Sequence, residues 1–222
     1  MAAPSFSQPR VFEPIFMERI WGGRRLETLY GKHLPVGARI GESWEIVDRP
    51  EAQSVVHHGP WRGTTLHDLW IEHRREVFGE IADGPRFPLL IKLLDAEEKL
   101  SLQVHPPAEL ADELGGEPKA EFWYIADAAP GAELYVGMRK KSSRAAFESA
   151  IASGEAEKHI HRVPVRAGDG MFLPSGRVHA IGAGNVVVEI QQNSDTTYRV
   201  FDWNRTEASG SPRTLHVEQS LR

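Results

Sequence analysis

The sequence has 222 residues, ten histidines, no cysteine and a formal net charge of −5, and 41% of it is hydrophobic. Without cysteine there can be no disulfides, thiol nucleophiles or thiolate metal sites, so a bound metal must take imidazole, carboxylate, amide or backbone oxygen ligands. The mildly acidic balance predicts no nucleic-acid partner, and the lack of an apolar run of about 18 residues predicts no membrane partner.

The N-terminal segment also bears on where the protein acts. It lacks the basic start and continuous apolar core of a secretory signal. The missing cysteines are compatible with a reducing compartment. We therefore expect a cytoplasmic protein.

Short apolar segments bounded by Gly, Pro, Asp or Asn fill most of the chain and predict strands. Residues 40–48 alternate around Trp44 and Ile46, whereas residues 88–96 form a continuous apolar run typical of a buried strand. Further strands are predicted at 99–105, 120–127, 132–138, 158–165, 169–175, 185–192 and 196–202. This spacing favours a mainly β fold, an antiparallel barrel or sandwich.

Three helices are predicted at the periphery of this β framework. The first spans residues 65–79, the second spans 107–114 after Pro107, and the third spans 143–153 with Ser142 or Ser143 as its N-cap. No internal repeat or compositional boundary divides the sequence. We therefore expect a single domain over residues 1–222.

Polar side chains recur at every second position in two of the predicted strands. Ser101, Gln103 and His105 share one strand face, and Lys119 and Glu121 share another with Trp123.

His179 follows a Pro-Ser-Gly turn in a third segment. Two imidazoles, a carboxylate and an amide oxygen suit a catalytic divalent ion with one open position. A second H-x-H pair, His159 and His161, has no carboxylate at useful spacing, and we interpret it as structural.

Two sets of motifs carry a resemblance to a known family. Gly168, Pro174, Gly176 and His179 follow the spacing G-x5-P-x-G-x2-H, which resembles the second motif of the cupin superfamily, although Ala183 stands where that motif has Asn. The segments QVHP from residue 103, KAEFWY from 119, VHAI from 178 and EIQQNSDTTYR from 189 are similar to the type I mannose-6-phosphate isomerases. The similarity extends from about Trp21 to His216.

The resemblance implies a cupin-type barrel or jelly roll that interconverts mannose 6-phosphate and fructose 6-phosphate through a cis-enediol(ate), with zinc as cofactor and a sugar phosphate as substrate. It places the metal ligands at Gln103, His105, Glu121 and His179, and a catalytic guanidinium at Arg199.

Other positions carry further implied roles. Lys119 and Ser101 fall on residues that line the sugar-phosphate pocket, Arg205 on a basic residue for the phosphate, and Trp21 on an aromatic at the pocket mouth. The proton carrier stays open between Glu189, if burial raises its pKa, and Lys119, if a neighbouring cation lowers its pKa. Glu189 has the alternative of simply pairing with Arg199 or a nearby lysine.

Well-known members of the family continue into a second β-barrel, whereas this sequence stops at Arg222. Two other functions stay open at this point. One is a non-catalytic sugar-phosphate-binding cupin that acts as a sensor. The other is a cupin metal-dependent oxygenase, to which Gln103 is less suited than a histidine would be.

Overall fold

The structure, a computed structural model, describes residues 8–81, 83–206 and 210–222. The strands are β1 (Ile15–Gly23), β2 (Ile40–Ile46), β3 (Asp48–Arg49), β4 (Ala52–Gln53), β5 (Leu89–Ala96), β6 (Leu102–Val104), β7 (Glu121–Ala128), β8 (Glu133–Met138), β9 (Ile160–Pro164), β10 (Gly170–Leu173), β11 (His179–Ile181), β12 (Asn185–Gln192) and β13 (Tyr198–Phe201). The helices are α1 (Arg25–Tyr30), α2 (Leu66–Glu72), α3 (Arg74–Phe78), α4 (Ala108–Ala111), α5 (Arg144–Ala152) and α6 (Val217–Ser220), with a 3₁₀ helix at Ala156–His159.

Two antiparallel sheets form the two walls of a barrel. The six-stranded sheet has the order β1-β2-β5-β12-β7-β10, and the five-stranded sheet has the order β13-β6-β11-β8-β9. Apolar side chains from both sheets fill the interior, among them Trp21, Leu94, Trp123, Leu134 and Val187. The prediction of a mainly β, antiparallel fold is therefore confirmed.

Helices cover parts of the outside of the barrel. The α5 helix packs Phe147 and Ile151 against the five-stranded sheet, where they meet Tyr135. The α1 helix packs Leu26 against one end of the six-stranded sheet, close to Val186. Among the described residues, no helix is both long and apolar enough to cross a membrane.

Every segment predicted as a strand contains one, and the sequence reading missed β1, β3, β4 and β11. The prediction of one helix over 65–79 was wrong, because His73 has φ −133° and ψ 29°, which ends α2 and precedes α3. The 107–114 helix is shorter than expected, with helical residues only at Ala108–Ala111. The third helix is confirmed, and Ser143 is its N-cap, since its side chain accepts a hydrogen bond from the Ala146 amide.

Candidate active site

Three buried side chains meet where the two sheets face each other. Glu121 begins β7 of the larger sheet, His179 begins β11 of the smaller sheet, and His105 follows β6 directly. One ligand atom from each lies within 4.8 Å of the others. His105 Nε2 is 3.1 Å from Glu121 Oε1, and His179 Nε2 is 3.5 Å from Glu121 Oε2.

Backbone carbonyls orient both imidazole rings. His105 Nδ1 donates to the carbonyl of Thr196 at 2.9 Å, and His179 Nδ1 donates to the carbonyl of Arg177 at 2.8 Å. Each ring therefore directs the lone pair of Nε2 towards Glu121, which is the arrangement that metal-binding histidines adopt.

The pKa shifts keep these rings neutral and the carboxylate ionised. Burial, and then the charge of Lys119, lowers the pKa of His105 to about 3. Burial also lowers the pKa of His179. Burial opposes ionisation of Glu121, but Lys119, whose Nζ is 2.8 Å from Glu121 Oε1, outweighs it and holds its pKa well below the usual range.

The buried lone pairs fit a divalent ion. Apart from the Lys119 ammonium beside Glu121 Oε1, His105 Nε2 and both carboxylate oxygens of Glu121 have no hydrogen-bond partner within residues 8–81, 83–206 and 210–222. Buried polar atoms in that condition are rare in folded proteins. Gln103 lies beside them, with its amide nitrogen 3.4 Å from His179 Nε2. Rotating this amide by half a turn exchanges its nitrogen and oxygen, so that the oxygen faces His179 Nε2 instead.

A cavity of about 370 Å³ lies next to this cluster, and Gln103 and Lys119 line it. The sequence-predicted residues Trp21, Ser101, Glu189 and Arg199 line it as well. Arg199 lies on β13 directly across from Gln103 on β6, and its Nη1 donates to the Thr214 carbonyl at 2.7 Å. The structure thus brings together all but one of the residues predicted for the site.

The exception is Arg205, which lies outside the cavity lining. Its guanidinium donates to the carbonyl of Lys99 and to Asp202, both at 2.6 Å. Arg213 lines the cavity instead, and its Nη1 is 3.4 Å from Asp202 Oδ2. Arg205, which the family similarity indicated for the phosphate, therefore contacts Lys99 and Asp202. Arg213, eight positions later, lines the cavity.

Buried charges of alternating sign extend along the cavity wall. Glu42 accepts hydrogen bonds from Arg19 Nε and from Trp44 Nε1, each at 2.7 Å. Lys92 Nζ lies 3.5 Å from Glu42 Oε2 and 3.9 Å from Glu189 Oε1. Burial would raise the pKa of Glu42, but Lys92 and Arg19 outweigh it and lower that pKa to about 2.

The two candidate proton carriers differ in their surroundings. Burial, followed by the charge of Glu121, raises the pKa of Glu189 to about 7, although Lys92 and Lys119 oppose this. Lys119 does not meet the condition under which it could carry the proton, namely a pKa lowered by a neighbouring cation. Burial alone would lower its pKa, but Glu121 and Glu189 outweigh burial and raise it, which favours the ammonium form.

Sequence reasoning missed five charged residues of the cavity wall: Arg19, Glu42, Lys92, Asp195 and Arg213. Two of them did leave a signal. Lys92 interrupts the apolar run of β5, and Glu42 shares a strand face with Trp44 two residues later. A charge inside a buried strand needs a partner, so each of these positions pointed to a polar interior.

Comparison with known proteins identifies the family. The family model for the phosphomannose isomerase type I catalytic domain matches residues 11–122. Mannose-6-phosphate isomerase ManA of Bacillus subtilis is 44% identical over 217 residues, which are 97% of this chain and 67% of that protein. The chain belongs to the type I phosphomannose isomerase family.

Solved structures agree with this placement. The crystal structure of the mannose 6-phosphate isomerase from Bacillus subtilis superposes with a TM-score of 0.86 at 43% identity, covering 96% of this chain and 68% of that one. A zinc-bound mannose 6-phosphate isomerase has the same fold, with a TM-score of 0.75 at 16% identity over 96% of this chain and 73% of that one. The fold is therefore the cupin-type barrel of this family.

Proposed function

We propose that this chain is a zinc-dependent enzyme that interconverts mannose 6-phosphate and fructose 6-phosphate. The observation that carries the proposal is the buried cluster of His105, Glu121 and His179 beside a cavity lined by lysine and arginine side chains. The names of the similar proteins support the substrate and the reaction. Neither the sensor nor the oxygenase has an observation of its own in its favour.

The proposed metal ligands are His105, Glu121, His179 and the amide oxygen of Gln103. A zinc ion bound there would act as a Lewis acid and stabilise negative charge on the sugar oxygens. The chemistry of the donors and the zinc-bound neighbour of the same fold support this choice.

Moving the carbonyl from C1 to C2 requires that a proton leave C2 and return at C1. Glu189 is the proposed carrier, because its carboxylate lines the cavity and its pKa of about 7 allows it both to accept and to release a proton near neutral pH. Lys119, whose raised pKa favours the ammonium form, is proposed instead to bind substrate oxygens while it pairs with Glu121.

Arg199 is the proposed stabiliser of the enediolate. A guanidinium stays protonated at any working pH, and the bond from Nη1 to the Thr214 carbonyl fixes its position beside Gln103. A charge that is held in place before the reaction begins costs no reorganisation when the enediolate forms.

The other end of the substrate carries the phosphate. Arg213 and Ser101, which both line the cavity, are its proposed ligands, and Arg213 takes the role that the family similarity gave to Arg205. Trp21 lies in the same lining and offers an apolar surface to the sugar carbons. Because charged sugar phosphates cross membranes poorly, we place the enzyme in the cytoplasm, where its substrate would be retained.

A coupled assay that follows fructose 6-phosphate formation from mannose 6-phosphate tests this proposal. We expect turnover by the metal-replete protein and loss of turnover after chelation, with recovery when zinc is restored. No turnover by a folded, metal-replete protein would contradict the isomerase function. Binding of mannose 6-phosphate without turnover would support a sensor instead.

A further inference from the structure

The backbone of Arg199 is held at the edge of its sheet by one residue from the C-terminal segment. In the described part of the chain, β13 is the last strand of the five-stranded sheet, with β6 as its neighbour on one side. The amide N–H of Arg199 donates to His216 Nδ1 at 3.1 Å, and the Arg199 carbonyl accepts from the His216 amide at 2.8 Å. His216 therefore satisfies two backbone groups of a kind that an edge strand otherwise leaves to solvent.

The imidazole of His216 takes the place that a carbonyl has in a strand. In an antiparallel ladder, a partner residue exchanges both hydrogen bonds through its own backbone. His216 donates through its backbone but accepts through its ring, so the accepting bond depends on the side chain. Acceptance at Nδ1 requires a neutral ring with its proton on Nε2. Burial, and then the charge of Arg199, lowers the pKa of His216, which favours this neutral form.

The same segment also holds the far end of the Arg199 side chain. Arg199 Nη1 donates at 2.7 Å to the carbonyl of Thr214, two residues before His216. We call residues 213–216 the C-terminal strap. The strap thus contacts the N–H, the carbonyl and the guanidinium of Arg199, and its first residue, Arg213, lines the cavity.

The C-terminal strap is itself anchored by α6, which follows it. The amide and the hydroxyl of Ser220 donate to the His216 carbonyl at 2.9 and 2.6 Å. Val217 and Leu221 pack against the apolar cluster that contains Val200, the neighbour of Arg199 on β13. Because the strap is fixed to the barrel at this point, His216 offers Arg199 a stationary acceptor.

We propose that His216 is a positioning residue for the isomerisation and acts through Arg199 rather than on the substrate. Its ring lies outside the lining of the cavity, whereas Arg199 lines it. The bond from the Arg199 amide to His216 Nδ1 fixes the point on the backbone from which the guanidinium extends. A displacement of about 1 Å at a group that stabilises the transition state can cost roughly 10²-fold in rate. This inference rests on the role proposed above for Arg199.

The test compares His216→Leu with His216→Asn in the metal-replete full chain. Asn carries an acceptor oxygen at the position of Nδ1, whereas Leu carries none. We expect His216→Leu to lower kcat about 10- to 100-fold with little change in the KM for mannose 6-phosphate, and His216→Asn to restore most of kcat. The matched control is His159→Leu, which removes an imidazole bonded to the Ser142 hydroxyl, outside the cavity lining, and should keep full kcat.

Two further measurements show whether the effect passes through Arg199. In the Arg199→Ala background, His216→Leu should cause no further loss of kcat, because residues that act as one unit are not additive. Hydrogen exchange at the residue 199 amide, followed by NMR, should be faster in His216→Leu than in the wild type and in His216→Asn. Thermal unfolding checks that each variant is folded.

The outcomes separate this inference from the proposed function. A wild type without turnover would overturn both. With an active wild type, full kcat in His216→Leu would overturn the positioning role and leave the isomerase function intact. Equal loss of kcat in the Leu and Asn variants, or a further loss in the Arg199→Ala background, would also overturn it, since either result would assign the effect to general packing.

Discussion

Arg199 contacts the proposed site from β13, directly across from Gln103, and its position is fixed by the Thr214 carbonyl. Arg199→Ala should lower kcat by about 10² to 10³, the cost of removing one preorganised charge from the transition state. Zinc content should not change, because Arg199 is not a proposed ligand. The control is Arg162→Ala, which removes a half-exposed arginine paired with Glu133 on the outer surface. Full kcat in the Arg199 variant would remove it from the mechanism.

The raised pKa of Glu189 predicts how kcat depends on pH. Its raised pKa means that the base is protonated below about pH 7, so kcat should fall about tenfold for each pH unit below that value. Glu189→Gln should lower kcat by about 10² to 10⁴ and abolish this limb of the pH profile. A Glu189→Gln enzyme that keeps the same acidic limb would assign the proton transfer to another group.

The same pKa has a consequence for stability. The unfolded chain ionises Glu189 near its ordinary pKa of 4.5, whereas the folded state keeps it protonated up to about 7, so folding free energy is lost as the pH rises between these two values. Glu189→Gln should therefore gain thermal stability relative to wild type as the pH rises from 5 to about 8. A constant difference in melting temperature over that range would mean that burial does not oppose the charge.

Matched substitutions can distinguish the proposed roles of Arg213 and Arg205. Arg213→Gln should raise the KM for mannose 6-phosphate about tenfold with little change in kcat, because it would remove the proposed charged hydrogen bond to the phosphate. Arg205→Gln should leave KM unchanged and lower the melting temperature, because Arg205 holds Lys99 and Asp202. The reverse pattern would restore the phosphate role to Arg205.

At the scale of elements, the proposed metal joins the two sheets. Glu121 comes from the larger sheet, whereas His105 and His179 follow or begin strands of the smaller one. A ligand that binds only the folded state stabilises it by about 2.7 kcal/mol at a concentration of 100 Kd. Zinc should therefore raise the melting temperature of the wild type but not that of His179→Ala. An equal rise in both proteins would place the stabilising ion elsewhere.

The sequence predicted elements well where an apolar pattern was continuous, as in β5, β7 and β12. It missed β1, where Glu18 is exposed and the next residue, Arg19, lines the polar cavity, so that two charges in a row interrupt the apolar pattern. It also merged α2 and α3, since the break at His73 is a backbone bend that the helical period of the segment does not reveal. The local pattern of apolar residues therefore predicts where strands lie more reliably than it predicts where the chain bends.

At the scale of the whole molecule, the metal cluster was predictable because motifs 74 residues apart, at His105 and His179, each carried a recognisable signature. The other residues that line the cavity were harder to predict from the sequence. Arg19, Glu42 and Lys92 come together only when β1, β2 and β5 pair side by side. Arg213 reaches the cavity because of the course that the C-terminal segment takes after β13. The spacing of residues in the sequence does not reveal that course.

The most direct test of the central claim is zinc titration of the metal-stripped chain, with bound zinc and isomerase activity measured on the same samples. We predict that wild type binds one zinc per chain and regains activity in proportion to the zinc bound. His179→Ala should bind zinc weakly and stay inactive. Full activity in the metal-stripped wild type, or unchanged zinc binding by His179→Ala, would contradict the account.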